Sequence, residues 1–132
     1  MVATILVADD SVTMRMIVES ALTQEGWKVV SAGNGRDALA CAQQTALDLV
    51  VTDWNMPVMG GLDLIRGLRA QPATESVPVL VLTTEDDESS KDAARDLGVS
   101  GWVHKPVDPE VLTDMVAELL AEPGADSSAE RA

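Results

Sequence analysis

Three runs of this chain, ILVA at residues 5–8, LVV at 49–51 and VLVL at 79–82, contain no polar residue. A strand with one face in water alternates polar with apolar side chains. An unbroken apolar run must therefore be covered on both faces, as in a parallel sheet held between two layers of helices. The surrounding pattern agrees. Apolar runs at 4–8, 28–32, 47–52, 77–82 and 101–104 are each followed by an amphipathic stretch, at 12–25, 36–44, 61–70, 88–97 and 108–120, which reads as five β-α units. The expected fold class is α/β, a (βα)5 doubly wound sheet of five parallel strands. Helix boundaries carry their own signals: Ser11 is placed to cap the first helix, Asp108 followed by Pro109 opens the last, and Gly26 and Gly98 stand where the first and fourth should stop.

With 132 residues, 46% of them hydrophobic, the chain encloses one core and leaves no length for a second full domain. Residues 1–120 are read as that domain, and the small, polar stretch at 121–132 as a disordered tail. A net charge of −13 repels nucleic acid and anionic membrane, so neither is expected as a partner. The opening MVATILVADD meets charge too early for a signal peptide or a membrane span, and the single Cys41 permits no internal disulfide, so the cytoplasm is the expected compartment. Cys41, within the helical stretch 36–44, is read as a small, partly buried thiol.

In an open parallel sheet the functional crevice lies beyond the carboxyl ends of the strands. The first strand ends in Asp9 and Asp10, the third in Asp53, the fourth in Thr83 and Thr84, and the fifth in Lys105. In the order 2-1-3-4-5 these ends are successive neighbours about 5 Å apart, which gathers three carboxylates, a hydroxyl and an ammonium at one edge. Carboxylates so close raise one another's pKa unless a cation sits among them. An oxygen-only donor set with room for water suits Mg²⁺. Asp53 then becomes a candidate nucleophile that forms an acyl phosphate, while Lys105 and Thr83 supply a flexible charge and a neutral donor for phosphoryl oxygens.

Each residue also has an ordinary explanation. Asp48, Asp63 and the acidic run at 85–88 read first as solvated surface. Thr83 and Thr84 can simply end a strand, Lys105 before Pro106 can be a turn residue, and His104 reads as a strand-end histidine. Trp54 is expected to pack or to lie over the site and Trp102 to belong to the core, with Met14, Met16, Met56, Met59 and Met115 as packing residues. The shared edge is what separates Asp9, Asp10 and Asp53 from this background, because a lone charge at the end of an apolar strand is costly. A rival motif is present: Gly33-Asn34-Gly35-Arg36-Asp37-Ala38 fits a dinucleotide fingerprint, with Asp53 about 20 residues on as the ribose acid. That reading leaves Asp9, Asp10, Thr83 and Lys105 without a role.

The strings VADDS, VVTDWNMPVMGGLDL, PVLVLTTE and SGWVHKPVD resemble those of two-component receiver domains, and DWNMP with GWVHKP resembles the CheY-like chemotaxis regulators in particular. The resemblance spans about residues 4–120. It implies a flavodoxin/CheY-like fold in which Asp53 is phosphorylated by a histidine kinase. It also implies Mg²⁺ on Asp10 and Asp53, with Asp9 acting through water and the Asn55 backbone carbonyl as a further ligand. Thr83 and Lys105 would contact the phosphoryl group, the Lys105-Pro106 bond would be cis, and Trp102 would be a rotating switch aromatic. Such a domain catalyses only its own phosphorylation and dephosphorylation, and a monomer is expected.

The switch implied is a conformational change relayed through the loop at 84–87, the fourth helix and the strand carrying Trp102. Two outputs stay open: an effector in chemotaxis that docks on the flagellar motor switch protein or another protein target, and a phosphate sink or relay intermediate. Motor-binding relatives tend to carry lysines where this chain has Asp86, Asp87, Glu88, Met115 and Glu118, so an acidic target is expected to be poorly attracted to that face. For phosphoryl lifetime, the resemblance makes Asn55 and Glu85 features of quick loss and sets Thr84 where it would crowd attacking water.

Overall fold

The structure, a computed structural model, describes residues 2–84 and 88–121. Its elements run β1 (Thr4–Ala8), α1 (Val12–Gln24), β2 (Lys28–Ala32), α2 (Gly35–Gln44), β3 (Leu49–Asp53), α3 (Gly61–Arg69), β4 (Val79–Thr83), α4 (Glu88–Asp96), β5 (Gly101–His104) and α5 (Pro109–Ala121). All strand pairs are parallel and the order is β2-β1-β3-β4-β5, as the apolar runs and the strand-end chemistry require.

Alternate residues of each central strand feed opposite cores. Leu6, Val50, Val79 and Val81 face one side, where Leu64, Ile65 and Leu68 of α3 and Ala38 and Ala42 of α2 cover them. Ile5, Val7, Leu49, Val51, Leu80 and Leu82 face the other, against Val18 and Leu22 of α1 and Leu112 and Val116 of α5. Burial of this kind contributes about 1.5–3 kcal/mol per large side chain, so both faces of the sheet are sealed and its ends are left for polar chemistry.

The caps stand where their residue types place them. The Ser11 Oγ accepts the Met14 N–H at 3.1 Å, and the Asp108 Oδ1 accepts the Glu110 N–H at 2.9 Å. Gly26 and Gly98 follow their helices with φ of 92° and 75°, the left-handed conformation that ends a helix at least cost in glycine. Boundaries move where local hydrogen bonding intervenes. Strands β3 and β4 start two residues later than their apolar runs, because Asp48 pairs with the start of β1 through the Thr4 carbonyl and amide, both at 2.8 Å, and Pro78 has no N–H to give. Both strands also run one residue further, so Asp53 and Thr83 are the last residues of strands.

Other expectations are corrected. Met14, Met56, Met59 and Met115 pack against the cores, but Met16 is 64% exposed. The buried stripe of α1 runs 14-18-22, and a residue two positions on points about 200° away from Met14. The glycines of the dinucleotide-like motif serve packing instead. The Gly35 N–H donates to the Met59 carbonyl at 2.8 Å, and a Cβ there would lie 2.5 Å from that oxygen. Asp53 also stands on a strand separated from β2 by β1. The expected tail beyond residue 121, the loop residues Glu85, Asp86 and Asp87, and the side chain of Glu88 lie outside the described residues.

One cation organises the far end of the sheet. Arg69, at the end of α3, donates from Nε to the Leu97 carbonyl at 2.7 Å and from Nη1 to the carbonyls of Thr74, Glu75 and Val77 at 2.8–3.2 Å, while Nη2 reaches the Gly98 carbonyl at 3.3 Å. Burial lowers its pKa without threatening its charge. It ties the α3–β4 loop to the α4–β5 turn. Arg69→Met, which keeps much of the stem's volume but strips these carbonyls of their donor, is expected to lower unfolding free energy by about 2–3 kcal/mol, read as a fall in urea midpoint.

Candidate functional site

The register sets the site. Ala8 pairs with Thr52 and Asp53 with Leu82, so Asp9, the next residue of its strand, stands level with Asp53. Thr83 pairs with His104, and the Lys105 N–H donates to the Thr83 carbonyl at 2.9 Å, which fixes Lys105 just past the end of β5. Its Nζ lies 3.2 Å from Asp9 Oδ2 and 3.1 Å from Asp53 Oδ2. Asp9 and Thr83 are fully buried, Asp53 is buried and Asp10 is exposed. One carboxylate oxygen from each of Asp9, Asp10 and Asp53 falls within a group no wider than 4.8 Å.

This geometry sets the charges. Burial pushes the Asp53 carboxyl above its ordinary pKa; the Lys105 hydrogen bond pulls it back, the Asp9 charge adds to the rise, and the Asn55 backbone N–H opposes it. Burial alone would lower Lys105, but its hydrogen bond to Asp53 and the charges of Asp53 and Asp9 outweigh that and hold it above the usual lysine value. One ammonium thus answers two buried carboxylates, and a third carboxylate faces solvent beside them. The donor set is all oxygen and is open to water through Asp10, which fits a hard divalent cation held partly by waters.

The other residues singled out in the sequence divide. Asn55 and Thr84 are exposed. Trp54 and Trp102 are half-buried against the core beneath α2 and α3, and their rings pack with centroids 5.4 Å apart at 58°. An aromatic pair therefore links the residue after Asp53 to β5. The Lys105-Pro106 bond is cis. Cys41 is partly buried.

One residue of the loop between Asp53 and α3 departs from what its type suggests. Val58 has φ 69°, and the Met59 N–H closes a three-residue turn onto the Pro57 carbonyl at 2.7 Å. A β-branched residue in this conformation is strained, and its side chain is 68% exposed. The turn signal before Gly60 was masked by valine, a residue type that favours strands.

The family model for the response regulator receiver domain matches residues 5–117. The chain belongs to the response regulator receiver family. A chemotaxis protein CheY homolog of Campylobacter jejuni is 34% identical over 128 residues, covering 96% of this chain and 98% of that protein. Among solved structures, the chemotaxis response regulator CheY4 of Vibrio cholerae is 36% identical with a TM-score of 0.85, covering 90% of this chain and 99% of that one. A response regulator from Burkholderia multivorans is 49% identical with a TM-score of 0.76, covering 93% and 98%. This receiver is thus of the CheY type, and its acidic group lies at the edge where the sequence strings converge.

Two outcomes follow for the metal-free receiver. A raised carboxyl pKa means that the folded state holds the Asp53 proton more tightly than the unfolded chain does. The cost of ionised Asp53 is therefore full above the folded pKa and fades as pH falls through it toward the ordinary value of about 3.9. In EDTA at neutral pH, Asp53→Asn is expected to melt a few degrees higher than the parent, a gap of about 1 kcal/mol, and the gap should narrow in mild acid. Val58→Gly, which has no Cβ to clash at positive φ, should raise unfolding free energy by about 1 kcal/mol in urea titrations.

Proposed function

We propose that this receiver takes a phosphoryl group onto Asp53 from a phosphohistidine of a histidine kinase, with Mg²⁺ at the acidic group, and signals in chemotaxis by changing shape. The observation that carries the reading is the buried Asp53 carboxylate with Lys105 at 3.1 Å and with Asp9 and Asp10 oxygens within the same 4.8 Å group. Asp10 and Asp53 would hold the metal directly, with Asp9 through water and the Asn55 carbonyl completing the protein's share. Bound there, Mg²⁺ would neutralise charge on the phosphoryl oxygens.

An Asp53 carboxylate oxygen attacks the phosphorus, a P–O bond forms as the P–N bond to the donor imidazole breaks, and the imidazole leaves with its electron pair. Lys105 exchanges a carboxylate for a phosphoryl oxygen, and the Thr83 hydroxyl gains a charge-assisted hydrogen bond that only the phosphorylated state offers. Differential contacts of this size shift a two-state equilibrium by about 1–3 kcal/mol. Trp102, packed on Trp54, carries the change to the face of α4 and β5. The domain acts on no substrate but itself, runs through Ala121 at the end of α5, and works as a cytoplasmic monomer.

The α4–β5 face also speaks to output. A groove of about 120 Å³ is lined by Lys91, Arg95, Val99, Gly101 and Trp102. With Val99 and Trp102 as its apolar lining and the Arg95–Asp92 ion pair beside them, it has the mixed character of a protein-docking groove, one that would take a segment such as that of the flagellar motor switch protein. This favours an effector over a phosphate sink.

Intact-mass analysis after incubation with acetyl phosphate and Mg²⁺ tests the central step. A single adduct is expected, absent with EDTA and absent from Asp53→Asn; an adduct that survives in Asp53→Asn would overturn the assignment. Thr83→Ala is expected to accept the phosphoryl group yet lose the accompanying change in tryptophan fluorescence, and a full change would sink the coupling through Thr83.

A further inference from the structure

A residue outside the acidic group reaches back to it. Arg15, in the first turn of α1, donates from Nη1 to the backbone carbonyl of Asp9 at 2.7 Å. The need for that donor follows from the sheet. The Asp9 N–H donates to the carbonyl of Ala32, the last residue of β2, at 3.1 Å. In a continued parallel ladder the Asp9 carbonyl would next accept the amide of residue 34, but the chain has already left the sheet there, and Asn34 caps α2 by accepting the Asp37 N–H at 2.8 Å. Arg15 stands in for the missing rung.

Two further facts fit this role. A Cβ at Gly33 would lie 3.2 Å from Arg15 Nη1, so the residue that follows β2 leaves room for the guanidinium. Every polar atom of Asp9 is also engaged. Its N–H meets Ala32, its carbonyl Arg15, its Oδ1 the Ser11 N–H at 2.9 Å and its Oδ2 Lys105 at 3.2 Å. The β1–α1 turn that aims Asp9 and Asp10 is therefore held at the Asp9 carbonyl by one side chain from the helix it leads into.

We infer that Arg15 is a positioning residue for the metal: by clamping the Asp9 carbonyl it fixes the turn that presents the Asp9 and Asp10 carboxylates. The inference rests on the proposed binding of Mg²⁺ at Asp9, Asp10 and Asp53. Charge and position pull in opposite directions here. As a cation beside an acidic pocket, Arg15 repels a divalent ion, and its removal would tighten binding. As a clamp it preorganises the carboxylates, and its removal weakens binding. Outer-shell partners of metal ligands typically govern affinity by 10–100-fold, whereas a partly exposed charge in salt is largely screened, so position wins.

The test is a calorimetric titration with MgCl₂ alone at fixed ionic strength, beside thermal melts in EDTA that verify folding. Arg15→Ala is expected to bind Mg²⁺ about tenfold more weakly, and Arg15→Lys, which keeps the charge and one donor, to stay within about threefold of the parent. Gly33→Ala, which crowds the guanidinium without removing it, should fall between them. Equal or tighter binding by a folded Arg15→Ala would overturn the inference. Should that variant fail to fold, unchanged affinity in Gly33→Ala overturns it instead. A parent protein that binds no Mg²⁺, or an Asp53→Asn variant that binds as well as the parent, would sink the metal reading itself, and the clamp with it.

Discussion

A single ammonium holds two buried carboxylates together at the end of the sheet, and much of the structure is arranged around that contact. Lys105 reaches Asp9 and Asp53 at nearly equal distances because its own amide is pinned to the carbonyl of Thr83. Without it, two negative charges removed from water would face each other at adjacent strand ends, an arrangement that burial makes costly. The compensation is partial. Burial still lifts the Asp53 carboxyl above its ordinary pKa, so the site retains an appetite for further positive charge on the side where Asp10 faces solvent.

That residual cost is possible because the rest of the fold is conventional in its energetics. Each central strand is sealed on both faces, α1, α2 and α5 are capped by Ser11, Asn34 and Asp108, and no described buried side-chain nitrogen or oxygen lacks a hydrogen-bond partner. Stability is ceded instead in the ionised group and in the strained turn at Val58. Concentration of strain and charge at one sheet edge over an otherwise consistent scaffold is what a site held ready for an incoming group requires.

The routes out of the site are physical contacts between rigid elements. Trp54 follows Asp53 and packs on Trp102 of β5, while Thr83 sits between Asp53 and β5 in the register. At the opposite end, Arg69 fastens the α4–β5 turn to the loop before β4. Helix α4 thus leaves one end of the sheet near the acidic group and returns at a turn anchored to the other end.

The amino-acid sequence by itself determined the five β-α units, the parallel sheet and the edge on which chemistry gathers. Unbroken apolar runs admit few other arrangements, and a charged residue directly after such a run has few places to go. Asp9, Asp10 and Asp53 were legible for that reason, and Thr83 and Lys105 as the residues that end the neighbouring strands, although no local pattern joins them. Three features were decided only by the tertiary structure. The exposure of Met16 depends on which stripe of α1 faces the sheet; the left-handed turn at Val58 contradicts the preference of its residue type; and the hold of Arg15 on the Asp9 carbonyl arises because β2 ends one rung short. Each depends on how elements meet in space, and a hydrogen bond or a buried face between distant segments leaves no period or spacing in the chain from which it could be read.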